Sequence, residues 1–199
     1  MLLQARPSRE IKMNLQSFID VVRTLATQSW FPGSSGNVSI IDRPTKLLYI
    51  KETGKPAALL NFDDIVITDL DGKVIVGGKP SKEINLHLGI YRTRPEMSVV
   101  IHGHPPYSTA YAIKGVSPPL VTGPAKLYLK KIPIVEVAPS GSLELAAYVS
   151  EAFGDPEVKV CLMKNHGVVC AGKDIYDAYV QATWLEDNSQ ASIILNNLR

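Results

Sequence analysis

The chain has 199 residues, 45% of them hydrophobic, and its 21 Lys+Arg stand against 19 Asp+Glu for a formal charge of +2. That length fits one compact domain with enough apolar material for its own core, and so small a charge, with no long basic run, excludes a nucleic-acid or membrane footprint. No long apolar stretch occurs, and Arg6, Arg9 and Glu10 interrupt the amino-terminal segment where a secretory signal needs apolar residues, so a soluble cytoplasmic protein is expected.

Ile11, Leu15, Phe18, Ile19, Val22 and Leu25 recur at helical spacing and predict an amphipathic first helix that ends near Trp30, ahead of Pro32 and Gly33. Between residues 38 and 76 the pattern changes to short β-branched runs, VSII, KLLYI, DIVIT and KVIV, with Asp71-Gly72 as a turn between the last two. Connections this short predict antiparallel pairing. Pro80 and Ser81 open a helix expected from about residue 82 to 94, and the strand SVVIH then runs into His102. Helices near residues 107–113 and 143–153 alternate with strands around 132–137, 158–163 and 168–171, and a long helix begins near Asp174. The expected fold class is α/β, a central, mostly antiparallel sheet with helices on both faces, in one domain over residues 1–199.

Cys161 and Cys170 flank the Lys164-Asn165-His166-Gly167 turn and are expected to be buried thiols rather than a bridge. Lys126, Lys130 and Lys131 form the densest basic cluster, expected as a solvated face.

The chemistry gathers at the histidines. His102 and His104 stand at i and i+2 at the end of a strand, so both imidazoles leave one face of the sheet while Gly103 points to the other. His166, in a turn between two apolar strands, offers a third donor. Three neutral imidazoles with an open coordination position are the pattern of a catalytic zinc site, and manganese, cobalt or iron also fit. Glu83 opens a helix and shares a face with His87 four residues on. From position alone Glu83 reads either as a favourable charge at a helix start or as a catalytic group, and His87 as a core histidine hydrogen-bonded within the helix layer. Ser35-Gly36-Asn37, Thr53-Gly54 and Ser81-Lys82 each offer N–H or hydroxyl donors to a phosphate, the last with a helix start and a cation besides, and each also reads as an ordinary turn.

Together, Gly36-Asn37-Val38-Ser39, Thr53-Gly54, Pro80-Ser81-Lys82-Glu83, His102-Gly103-His104-Pro105 and Asn165-His166-Gly167 occur in the order and approximate spacing of the class II aldolase and adducin family, which the chain resembles over roughly residues 10–190. The resemblance, closest to fuculose-phosphate and ribulose-phosphate aldolases and epimerases, implies a three-layer fold and a homotetramer with active sites at subunit interfaces. It implies that His102, His104 and His166 bind zinc, that Glu83 is a further metal neighbour and the acid/base, and that Gly36, Asn37, Thr53, Gly54, Ser81 and Lys82 hold a substrate phosphate. The implied partner is a small phosphorylated sugar or aldehyde, and the implied activity is that of a zinc-dependent aldehyde-lyase, fuculose-1-phosphate aldolase-like, cleaving a ketose phosphate through a stabilised enediolate. An epimerase, dehydratase or decarboxylase on the same site, or a non-catalytic adducin-like scaffold, remains the alternative. Two residues depart from the related aldolases. Lys82 stands where they carry a second serine, and Thr122 aligns with their proton-donating tyrosine, Tyr128 being the nearest tyrosine.

Overall fold

The computed structural model describes residues 9–198. The helices are α1 (Arg9–Thr27), α2 (Ile84–Thr93), α3 (Pro106–Lys114), α4 (Leu143–Phe153) and α5 (Ile175–Asn197). The strands are β1 (Asn37–Asp42), β2 (Leu47–Lys51), β3 (Ile65–Asp69), β4 (Val74–Val76), β5 (Val99–Gly103), β6 (Ile134–Val135), β7 (Val160–Met163) and β8 (Gly167–Gly172). Arg6 lies outside the described residues, and the side chains of Arg9, Glu10 and Ile11 outside those described in α1. No described helix is long and apolar enough to cross a membrane.

The strands form one eight-stranded sheet in the order β4-β3-β2-β1-β5-β8-β7-β6. Every pairing is antiparallel except β6 with β7. Alternation along the strands divides two cores. Val38, Ile40, Tyr49, Val99, Ile101 and Val168 face the layer holding α1 and α5, whereas Ile41, Ile50, Val100, Met163 and Val169 face α2 and α4. Helices therefore cover both faces of a mostly antiparallel sheet, the three-layer α/β arrangement the sequence led us to expect.

Period two also settles the cysteines. Cys170 belongs to the core under α5 and Cys161 to the core under α4, so the two thiols leave opposite faces of adjacent strands and both are free and buried. On the surface, Lys130 and Lys131 pair with Glu157, and Lys131 also with Asp155, and Lys126 is exposed; the cluster is a solvated face. One expected strand is much shorter than its apolar run. Pairing over 132–137 contracts to Ile134–Val135 because β6 is the sheet's edge and Pro133, lacking an N–H, only accepts, from Leu162 N.

The register places the chemistry. Asn37 at the start of β1 lies opposite His102 near the end of β5, and Gly103 lies opposite Val168 near the start of β8. Asn37 and Ser39, in step with Ile41, face the α2 side, where the first turn of α2 meets them. His166 reaches the same strand ends from the turn between β7 and β8.

Candidate active site

Glu83 sits at the N-cap of α2 yet makes no side-chain cap. Its carboxylate turns inward, with Oε2 at 2.9 Å from His102 Nε2 and Oε1 at 3.5 Å from His166 Nε2. Asn37 Nδ2 donates to Oε2 at 3.0 Å and Ser140 Oγ to Oε1 at 2.6 Å. Burial alone would raise the Glu83 pKa, but the hydrogen bond and charge of His102, then Ser140 and Asn37, outweigh it and hold the carboxyl well below the usual carboxylate range. Glu83 is an ionised, fully engaged group, and not a helix-dipole ornament.

The ligand atoms of His102, His104 and His166 lie within 4.8 Å of one another. Burial, reinforced by the neighbouring histidines, lowers the His104 pKa to about 4 and depresses His166 in the same way, so each keeps a lone pair to offer. The hydrogen bonds test whether a cation fits. His102 Nδ1 faces the Val168 carbonyl at 2.9 Å and must donate to it, which leaves Nε2 of a neutral ring as a lone pair aimed at the Glu83 carboxylate. Two acceptors in contact repel unless a second proton or a cation stands between them. His104 Nδ1 is buried with no hydrogen-bond partner, a further sign of unspent coordination capacity. The donor set suits a divalent cation with an open coordination position.

Gly36 and Gly167 let the backbone close around this cluster. Gly36 has φ +69°, and a Cβ there would meet the Phe31 ring at 2.5 Å and His102 O at 2.8 Å. At Gly167 a Cβ would meet Gly103 O at 2.5 Å and His104 Cδ2 at 2.7 Å. No side chain fits at either place.

Every residue singled out for metal or phosphate lines one cavity of about 320 Å³: Gly36, Asn37, Thr53, Gly54, Ser81 and Lys82 along with Glu83 and the three histidines. The same cavity holds residues the sequence did not point to. Lys51, 2% exposed, brings its Nζ among the carbonyls of Lys55, Glu52 and Ser34 at 2.6, 3.3 and 3.4 Å. Burial lowers its pKa to about 8, against a smaller opposing pull from Asp64. Ser140 comes from the turn before α4, and Ser34 from the loop before β1. Lys51 sits two residues before Thr53-Gly54 in a strand of otherwise buried apolar residues, and a lysine in that setting was the one available signal.

His87 is 0% exposed, as a core histidine should be, but its partners are not in the helix layer. They are Ser39 Oγ, at 2.7 Å from Nδ1, and Asn37 Oδ1, facing Nε2, both on β1. Neither Thr122 nor Tyr128 is among the lining residues. Thr122 Oγ1 accepts from Ala125 N, and Tyr128 is stacked on Trp184 with ring centroids 4.3 Å apart.

With this geometry in view, the comparisons with known proteins converge. Residues 16–193 match the model of the class II aldolase and adducin N-terminal domain family. An L-fuculose phosphate aldolase of Methanococcus maripaludis is 42% identical over 187 residues, covering 94% of this chain and all of that protein. An L-ribulose-5-phosphate 4-epimerase of Salmonella paratyphi C is 32% identical, covering 87% of this chain and 79% of that one. A solved L-fuculose 1-phosphate aldolase superposes with a TM-score of 0.86 at 26% identity, covering 96% of this chain and 88% of that one. The chain belongs to the class II aldolase family and within it sides with the sugar-phosphate aldolases ahead of the epimerases.

Proposed function

We propose that the chain is a zinc-dependent aldehyde-lyase that reversibly cleaves a small ketose phosphate, with L-fuculose phosphate the first substrate to try. One observation carries the reading: three imidazoles, an ionised carboxylate and a buried ammonium group share a single cavity with the hydroxyls and N–H groups of three turns. A divalent cation held by His102, His104 and His166 would supply Lewis acidity at the ketose carbonyl. The rest of the work falls to the chain's own residues. Lys51, with Gly36, Asn37, Thr53, Gly54, Ser81 and Lys82, would hold the phosphate, Lys51 as a buried charge and Lys82 as an exposed one. When the carbon–carbon bond breaks, its electron pair stays on the carbon alpha to the carbonyl, and Glu83 exchanges a proton with that carbon. Burial is what raises the basicity of Glu83, and with substrate standing between the carboxylate and the histidine cluster, Asn37 and Ser140 would be its remaining donors and that influence would move it toward what the exchange needs.

Epimerisation is the second reading, favoured by the absence of a tyrosine among the described lining residues of the cavity. Incubation of the zinc-loaded protein with a panel of ketose phosphates separates the two. Release of triose phosphate and an aldehyde is expected, and an epimer with no cleavage product would replace the aldolase assignment. The family resemblance further supports a cytoplasmic homotetramer with sites at subunit interfaces. The exposed edge strand Val74-Ile75-Val76, with Leu59 and Phe62 also exposed, supplies apolar surface that subunit contacts could cover.

A further inference from the structure

His87 plays no part in the chemistry derived above, yet it anchors a hydrogen-bond chain that ends on Glu83. Tyr91 Oη stands 2.8 Å from Ser39 Oγ and 3.0 Å from Ser39 O, Ser39 Oγ 2.7 Å from His87 Nδ1, and Asn37 joins His87 to Glu83. All five side chains are buried. Burial lowers the His87 pKa to about 3, so the ring is neutral and holds one proton.

The direction of every bond follows from the far end. At that end the Asn37 amide presents Nδ2 to Glu83 Oε2 at 3.0 Å, beside the Ser140 hydroxyl that donates to Oε1. Asn37 Oδ1 then faces His87 Nε2, which must donate. His87 Nδ1 is therefore the acceptor, Ser39 supplies its proton, and the Tyr91 hydroxyl donates to the two oxygens of Ser39. With His87 replaced by an apolar ring, Oδ1 would lose its donor and only Glu83, on the Nδ2 side, would hold the Asn37 amide.

We propose that His87 is a positioning residue: its Nε2–H tautomer, set by Ser39, locks the Asn37 amide so that both N–H bonds face Glu83 and the cavity. One N–H is spent on Glu83 and the other is left for an acceptor oxygen of the ligand. The consequence for catalysis rests on the aldolase reading, whereas the amide lock does not.

Two replacements separate positioning from packing. The Nε2 of glutamine can take the place of the imidazole Nε2, so His87→Gln keeps a donor to Asn37. His87→Phe keeps the volume and removes it. In protein labelled with ¹⁵N at asparagine, the Asn37 side-chain NH2 signals, assigned by their loss in Asn37→Ala, should be protected from exchange in the wild type and His87→Gln and unprotected in His87→Phe. The kcat/KM for ketose phosphate cleavage should fall roughly ten- to a hundredfold in His87→Phe and recover in His87→Gln. The double variant His87→Phe, Asn37→Ala should be no slower than Asn37→Ala alone, because His87 acts only through Asn37. Should His87→Phe fail to fold, Ser39→Ala, which frees the tautomer, is expected to lose the same protection. Protection retained in His87→Phe, or in Ser39→Ala where that variant stands in for it, or losses that add in the double variant, overturn the proposal. A wild type that cleaves no ketose phosphate removes the aldolase reading instead, and amide exchange still decides the role of His87.

Discussion

Lys51 carries its ammonium group into the cavity with three carbonyl oxygens as acceptors, and its pKa falls to about 8 because burial disfavours the charged form. The cost of that buried charge is present below pH 8 and is relieved as the pH climbs through it. A bound phosphate supplies a counter-charge and draws the pKa back up, so binding takes up a proton above pH 8. Affinity for inorganic phosphate, measured by calorimetry from pH 7 to 10, should weaken above pH 8 with a slope approaching about tenfold per unit. Lys51→Met should bind more weakly at pH 7 and lose this limb; a variant with the wild-type profile would place the anion elsewhere. Glu83→Gln is a separate test. An amide cannot act as the base, so deuterium wash-in from solvent at the alpha carbon of the triose phosphate product should fall by roughly two orders of magnitude or more, and undiminished exchange would assign the proton to another group. The three histidines and the turns at Asn37, Thr53-Gly54 and Ser81-Lys82, which line one cavity, could be singled out because each sits in a short local motif. Ser140, 57 residues from Glu83, and the partners of His87, 48 and 50 residues away, are neighbours only through the fold.

At the scale of elements, β5 and β8 hold the site together, and their contact is close enough to exclude a methyl group. A Cβ at Gly167 would strike Gly103 O and the His104 ring, so Gly167→Ala must push His104 out of the cluster or part the strand ends. Overpacking of this kind costs about 1–3 kcal/mol. Zinc affinity by competition titration should drop together with the Tm, and wild-type values for both would mean that His104 is not held by this contact. The strands β1, β2, β3 and β5 could be read in the sequence because their β-branched runs are bounded by turn residues and fill a sheet interior, and β4, an edge, because it follows the Asp71-Gly72 turn. The other edge was less legible. Pro133 inside the run at 132–137 is the one local sign of an edge strand, and nothing local reveals that only Ile134–Val135 pair.

For the whole molecule, the issue is whether the metal site supports the fold or the reverse. The two apolar cores, one under α1 and α5 and the other under α2 and α4, are built from hydrophobic side chains alone, so neither needs a metal to close it. A structural zinc is closed by four protein ligands, whereas here three imidazoles face an accessible cavity. Removing the metal should therefore leave the far-UV circular dichroism unchanged at 25 °C. It should still lower the Tm, because a ligand at a hundredfold excess over its Kd adds about 2.7 kcal/mol to stability. At roughly 2–4 °C per kcal/mol for a domain of this size, the drop is roughly 5–11 °C. Cleavage activity should vanish on chelation and return on adding zinc to the folded apoprotein. A chelated protein that unfolds at 25 °C would make the site a staple of the fold, and recovery would then require refolding, with a lag that simple reloading of a formed site does not have.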